Sequence, residues 1–111
     1  MSESIVKLID AVKRGDASAF LRLVKRIEEI CRTSMISRRE AWLGKDLVLV
    51  NYCTYMLIDR REGAAYVLVR GREYYTVIRL DITSLLNQSE REIAETLCIY
   101  VDEIESVSRT I

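Results

Sequence analysis

Histidine is absent from this 111-residue chain. That absence removes the Ser-His-Asp and Cys-His nucleophile systems and every imidazole metal ligand. Cysteine is scarce: Cys31, Cys53 and Cys98 stand far apart and form no CxxC pair, so no zinc site is expected and all three read as buried free thiols. The four glycines occur singly, at Gly15, Gly44, Gly63 and Gly71, and neither GxGxxG nor GxxxxGK[ST] is present, which excludes the usual nucleotide-cradling loops. No apolar run reaches the roughly 18 residues of a membrane span. The opening stretch MSESIVKLID lacks a secretory pattern, so a cytoplasmic protein is expected. Asn occurs twice and Gln once, while Arg dominates the basic residues; few amides among many charges fits a thermophile. No carboxylate pair, Asp59/Glu62 included, is marked out by spacing from ordinary turn residues. The chain reads as a non-enzyme without cofactor or metal.

What is present points to a folded chain. Half of the residues are hydrophobic and 31% are charged, with 17 basic and 17 acidic groups. Residues 1–36 carry helical periodicity. Ser4 can cap a helix bearing Ile5, Leu8, Ile9 and Val12, Gly15 breaks it, and Asp16 caps a second helix bearing Phe20, Leu23, Val24, Ile27, Ile30 and Cys31. Residues 37–80 are dense in Val, Ile, Tyr and Thr and predict four strands: Arg38–Leu43, Asp46–Asp59, Ala64–Arg70 and Glu73–Leu80. Short turns make neighbouring strands antiparallel. Ser89-x-x-Glu92 is a capping-box pattern opening a last helix. Along that helix Ile93, Leu97, Tyr100, Ile104, Val107 and Ile111 are spaced 4, 3, 4, 3, 4, a heptad seam that reads first as an oligomer interface; Ile99 and Val101 widen the stripe, and the alternative is packing on the chain's own domain. The expected fold is α+β: two N-terminal helices, a four-stranded antiparallel β-meander and a long zipper-like C-terminal helix. Residues 1–88 form the hairpin-plus-sheet unit, expected to bind nucleic acid, and 89–111 the oligomerisation helix.

Two-residue turns at Gly44-Lys45 and Gly71-Arg72, with a four-residue turn at 60–63, assign the strand residues to two faces. One collects Ala41, Leu43, Val48, Val50, Tyr52, Met56, Ile58, Val67, Val69, Ile78 and Leu80, and the helices are its natural cover. The other collects Arg38, Trp42, Asn51, Tyr55, Tyr66, Arg70, Tyr75 and Arg79, with Leu47, Leu49, Leu57, Leu68 and Val77 between them, and is expected to be open. Rings and guanidinium groups together suit single-stranded nucleic acid, because bases stack on aromatic faces and Arg pairs with phosphate. Charge is unevenly distributed: residues 1–37 sum to +2, 38–80 to +3 and 81–111 to −5. A basic surface can therefore exist on a neutral molecule.

The stretches RREAWLGKDLVLVNY, YVLVRGREYYTVIRL and SEREIAETLCIYVDEIESV, in this layout, resemble the Thermo-DBP-related proteins, single-stranded DNA-binding proteins of thermophilic archaea. The resemblance implies sequence-nonspecific binding of single-stranded DNA by a homodimer or higher oligomer. It puts Trp42, Tyr55, Tyr66 and Tyr75 in the stacking role and Arg38, Arg60, Arg61, Arg70, Arg72 and Arg79 in the phosphate role. RNA would be served by the same contacts. The alternative reading is a protein–protein assembly adaptor, in which the aromatic face and the heptad helix are both protein interfaces.

Overall fold

Helix starts follow from local capping. Ser4 Oγ accepts the Lys7 backbone N–H at 3.2 Å and opens α1 (Ile5–Lys13). Gly15 takes the left-handed conformation at φ +93°, and Asp16 Oδ1 accepts the Ala19 N–H at 3.0 Å to start α2 (Ala17–Cys31). The sheet strands are β1 (Glu40–Trp42), β2 (Leu47–Asn51), β3 (Tyr55–Asp59), β4 (Ala64–Arg70) and β5 (Tyr75–Asp81). A short 3-10 turn (Thr83–Leu85) leads to α3 (Glu90–Thr110). There Ser89 and Glu92 form the expected capping box, each accepting the other's backbone N–H at 3.2 Å. The computed structural model describes residues 3–31 and 40–110; Arg38 and Ile111 lie outside them.

The α+β class and element order are those expected, with five strands in place of four. The stretch Asp46–Asp59 is a hairpin: β2 and β3 pair from Leu47↔Asp59 to Asn51↔Tyr55 around Tyr52-Cys53-Thr54. That turn contains none of the glycines that mark the others, so the sequence reads through it. All neighbours are antiparallel, in the order β1-β2-β3-β4-β5.

Both faces of the sheet are covered. The α1–α2 hairpin packs Leu8, Val12, Phe20, Leu23 and Ile27 against Leu49, Leu57, Ala64, Tyr66 and Leu68. On the opposite face α3 packs Ile93, Ala94, Leu97 and Val101 against Val48, Val50, Met56, Ile58, Val67 and Val69. The expectation of one helix-covered and one open face is therefore corrected. The interleaved leucines of the aromatic face need burial as much as the valines opposite, and the helical hairpin supplies it.

The cysteine expectation is corrected as well. Cys53 and Cys98 are joined in a disulfide that ties the β2–β3 turn to α3, with their Cα atoms 5.9 Å apart. The unrecognised turn is what delivers residue 53 to the helix. Beside it, the Tyr52 hydroxyl donates to Glu95 Oε1 at 3.1 Å.

Candidate functional site

Pairing geometry decides which rings and cations meet. From β2 to β5 the side-chain parity is the one expected, including Met56↔Val67 and Tyr66↔Arg79. The β4–β5 connection has four residues rather than two, closed by the Gly71 N–H to the Tyr74 carbonyl at 2.8 Å. Two added residues preserve the faces. A Cβ at position 71 would meet that carbonyl at 2.8 Å, so the tight approach requires glycine. Strand β1 differs. The Leu43 N–H donates to the Leu47 carbonyl at 2.9 Å, making a three-residue turn and setting Trp42 opposite Val48. This one-residue slip moves Trp42 to the α3 face, across the sheet from Tyr55, Tyr66 and Tyr75, and brings Ala41 and Leu43 to the hairpin face.

Several expected contacts are engaged internally. Tyr66 is 4% exposed, and its hydroxyl donates to Glu62 and is also hydrogen-bonded by Arg79. Burial, followed by that carboxylate, raises the phenol above its usual range. No base can stack on it. Tyr55 is half-buried among the hairpin-face residues and donates to Glu28 Oε1 at 3.0 Å, which, after burial, likewise raises its pKa. A carboxylate at that spot disfavours a phosphate. Arg60 pairs with Glu90 at 2.6 Å and donates to the carbonyls of Leu86 and Gln88 at 2.8 and 2.6 Å. It fastens the β3–β4 turn to the start of α3. Arg61 is exposed on that same turn.

A cluster survives at the other end of the sheet. Arg70 and Tyr75 are cross-strand partners. In the alternation of this ladder they form a non-hydrogen-bonded pair, in which side chains stand closest. Tyr74 and Tyr75, 76% and 46% exposed, face α2 across an open groove of about 410 Å³. The groove is otherwise lined by Ala17, Ser18, Leu21, Arg22 and Lys25. Arg22 Nε pairs with Glu3 at 2.8 Å, and Nη1 donates to Ser18 Oγ at 2.6 Å. Both partners of that ion pair are about half exposed, so it competes weakly with another anion. Arg72 is exposed on the adjoining turn and Arg79 along β5. Of the ten nucleic-acid residues expected, Arg70, Arg72 and Tyr75 belong to this end, while Arg79 lies four residues along β5, opposite Tyr66.

No protein family, no curated protein and no solved structure matches this chain. The groove is therefore read from its own chemistry. Sequence reasoning missed Tyr74, because a two-residue turn puts it inside a strand. It also missed Arg22 and Lys25, which stand off the apolar stripe of α2 and carry no motif of their own. The clue was available in the apolar Leu21, which stands outside the buried stripe of α2 and is 44% exposed.

The heptad seam divides. Ile93 and Leu97 are buried against the chain's own sheet, and Ile104 is partly buried there, whereas Tyr100 and Val107 face outward beside the exposed Ile99. The corrected feature is the width of the apolar stripe: Ala94, Cys98 and Val101 broaden it to that of a helix lying on a sheet. Among the described residues no group of acidic or cysteine side chains is arranged to hold a metal, and no helix is long and apolar enough to cross a membrane.

Proposed function

We propose that this protein binds single-stranded nucleic acid without sequence preference, DNA being the first candidate, through the groove between α2 and the β4–β5 turn. The observation that carries the reading is the pairing of two exposed tyrosines and Leu21 with Arg22 and Lys25 around one open groove. Flat rings offer stacking surfaces for unpaired bases, and the flanking cations, with Arg70 and Arg72, suit the phosphates. A duplex hides its base faces and gains only the charge contacts. The layout's resemblance to the Thermo-DBP-related proteins points the same way.

Fluorescence anisotropy with labelled oligo-dT at low salt tests it, with single-stranded RNA and duplex DNA in parallel. Tyr74→Ala and Tyr75→Ala are each expected to weaken binding roughly 5- to 150-fold, the range of about 1–3 kcal/mol per stacked base. Lys25→Ala is expected to reduce the slope of log K against log salt by about 0.7. Trp42→Ala, on the opposite face, should leave the isotherm within twofold. No binding at low salt by the folded protein refutes the proposal, and an equal loss for Trp42→Ala refutes the choice of face.

A protein–protein adaptor is the second reading. What favours it is the exposed Ile99, Tyr100 and Val107 on acidic α3, which nucleic acid would avoid. A nuclease-resistant partner held by α3, together with no oligonucleotide binding, would select it.

A further inference from the structure

The sheet has two edge strands, and they differ. β1 has three residues, while β5 runs seven in unbroken register with β4. The backbone alternation of β5 is set at both ends: the Gly71 N–H donates to the Tyr74 carbonyl at 2.8 Å, and the Ile82 N–H to the Gly63 carbonyl at 2.9 Å. Such pairs recur at every second residue. Thr76, Ile78 and Leu80 therefore direct their backbone groups to β4, and Tyr75, Val77, Arg79 and Asp81 direct theirs out of the sheet.

Among the described residues no strand pairs with that outer edge. α3 packs chiefly over β2 and β4, which leaves Thr76 exposed and Ile78 and Leu80 half-buried. Exposed edges are commonly protected by shortness, proline, bulges, charged side chains or a covering element. β5 has no proline and no bulge; its two charges, Arg79 and Asp81, lie on the hairpin face, where α2 also packs on the strand, and the α3 face of this edge is uncharged.

We infer that β5 is the docking edge for a second copy of this chain, paired antiparallel about a two-fold axis to join two five-stranded sheets into one of ten. The strand is complementary to itself in one register. Outward backbone groups can meet only outward groups, so odd-numbered residues must face odd-numbered residues. Overlap of all seven residues sets Tyr75 against Asp81, Val77 against Arg79, and Ile78 against its own symmetry mate. Sliding by two residues one way sets Arg79 against Arg79, and like charges directly opposite are unfavourable; the other way carries Asp81 past Tyr75, the first residue of the partner strand, so two residues of each strand lose their pairing.

A two-fold perpendicular to the sheet puts both helical hairpins on the same side. Each copy then contributes Tyr75 and Arg79 to one strip on that side, with the two grooves at its opposite ends, because Tyr75 of each copy lies beside the other's Asp81. The use of this strip as a continuous path for a nucleic-acid strand rests on the function proposed above. The pairing itself does not.

The test uses the full chain carrying Cys31→Ser. Ile78→Cys should give a covalent dimer on non-reducing gels under mild oxidation, because non-hydrogen-bonded partners stand about 4.5 Å apart at Cα, within disulfide reach. Thr76→Cys, facing Leu80, should not. In sedimentation equilibrium without nucleic acid, the wild type should show twice the 12.9 kDa chain mass. Arg79→Pro should return it to one chain mass with an unchanged circular dichroism spectrum, since this N–H bonds nothing in its own sheet. A wild-type monomer at 100 µM, equal crosslinking at positions 76 and 78, or a folded Arg79→Pro dimer overturns the inference. A wild-type monomer that still binds oligo-dT overturns the pairing alone; a crosslinked dimer that binds none overturns the nucleic-acid reading alone.

Discussion

Cutting the Cys53–Cys98 bond should cost this protein a large share of its stability. The two residues are 45 apart in sequence, and closing a loop of that length in the unfolded chain removes about 13 cal/mol/K of entropy, or about 4 kcal/mol at 25 °C. At about 2.1 cal/mol/K of unfolding entropy per residue, a chain of this length should lose roughly 15 °C in Tm. The bond joins the β2–β3 turn to α3, and in the reduced protein two contacts still hold that turn. Tyr52 donates to Glu95 at 3.1 Å, and Thr54 Oγ1 donates to the Leu68 carbonyl at 2.7 Å. The fold should therefore survive reduction at 25 °C while unfolding at lower urea. Urea titration and calorimetry of the wild type and Cys53→Ser, each with and without reductant, measure the effect. Thiol titration in denaturant without reductant should find one reactive cysteine per chain. Three reactive thiols, or a reductant-induced shift below about 4 °C, would refute the reasoning.

Further expectations follow from other contacts. Burial opposes the charge of Lys13, but its hydrogen bonds to Asp59 and Glu62 outweigh that and raise its pKa. Both carboxyls are lowered: Asp59 against its own burial by Lys13 and by the Glu62 and Arg61 backbone, and Glu62 by Lys13 and Tyr66. The carboxyl contribution is present above about pH 4 and lost as pH falls through the lowered values, and the lysine contribution is complete below about pH 10.4 and lost above it. Calorimetric Tm should be flat between about pH 5 and 10, and Lys13→Met should make both limbs shallower; unchanged limbs would refute the linkage. Gly63 sits at φ +68°, and a Cβ there would meet Thr83 Cγ2 at 2.6 Å, so Gly63→Ala should lower urea-unfolding stability by about 1–3 kcal/mol. Phe20, on α2, is fully buried between the hairpin and the sheet, so Phe20→Ala should cost about 3–5 kcal/mol in the same assay. Leu97→Asp should lower the Tm of the single chain, whereas Val107→Asp, at an exposed site, should leave it within about 2 °C.

Much of this fold is legible locally. Ser4, Asp16 and the Ser89/Glu92 box cap helices through side chains reaching backbone three residues away, so the helix starts can be read without knowing what the helices pack against. Period-two alternation likewise assigned the faces from β2 to β5, because even-numbered changes in turn length leave parity intact. Only the tertiary structure decided the rest. A single extra turn residue before β2 carried Trp42 to the far face, and a hairpin at Tyr52-Cys53-Thr54 created both a fifth strand and a disulfide. That both faces are covered, that Ile93 and Leu97 serve their own sheet, and that Tyr74 and Lys25 line one groove all depend on contacts between residues distant in sequence. Apolar side chains specify that burial must occur, but burial has no direction of its own, so the covering element is chosen by the packing of the whole chain.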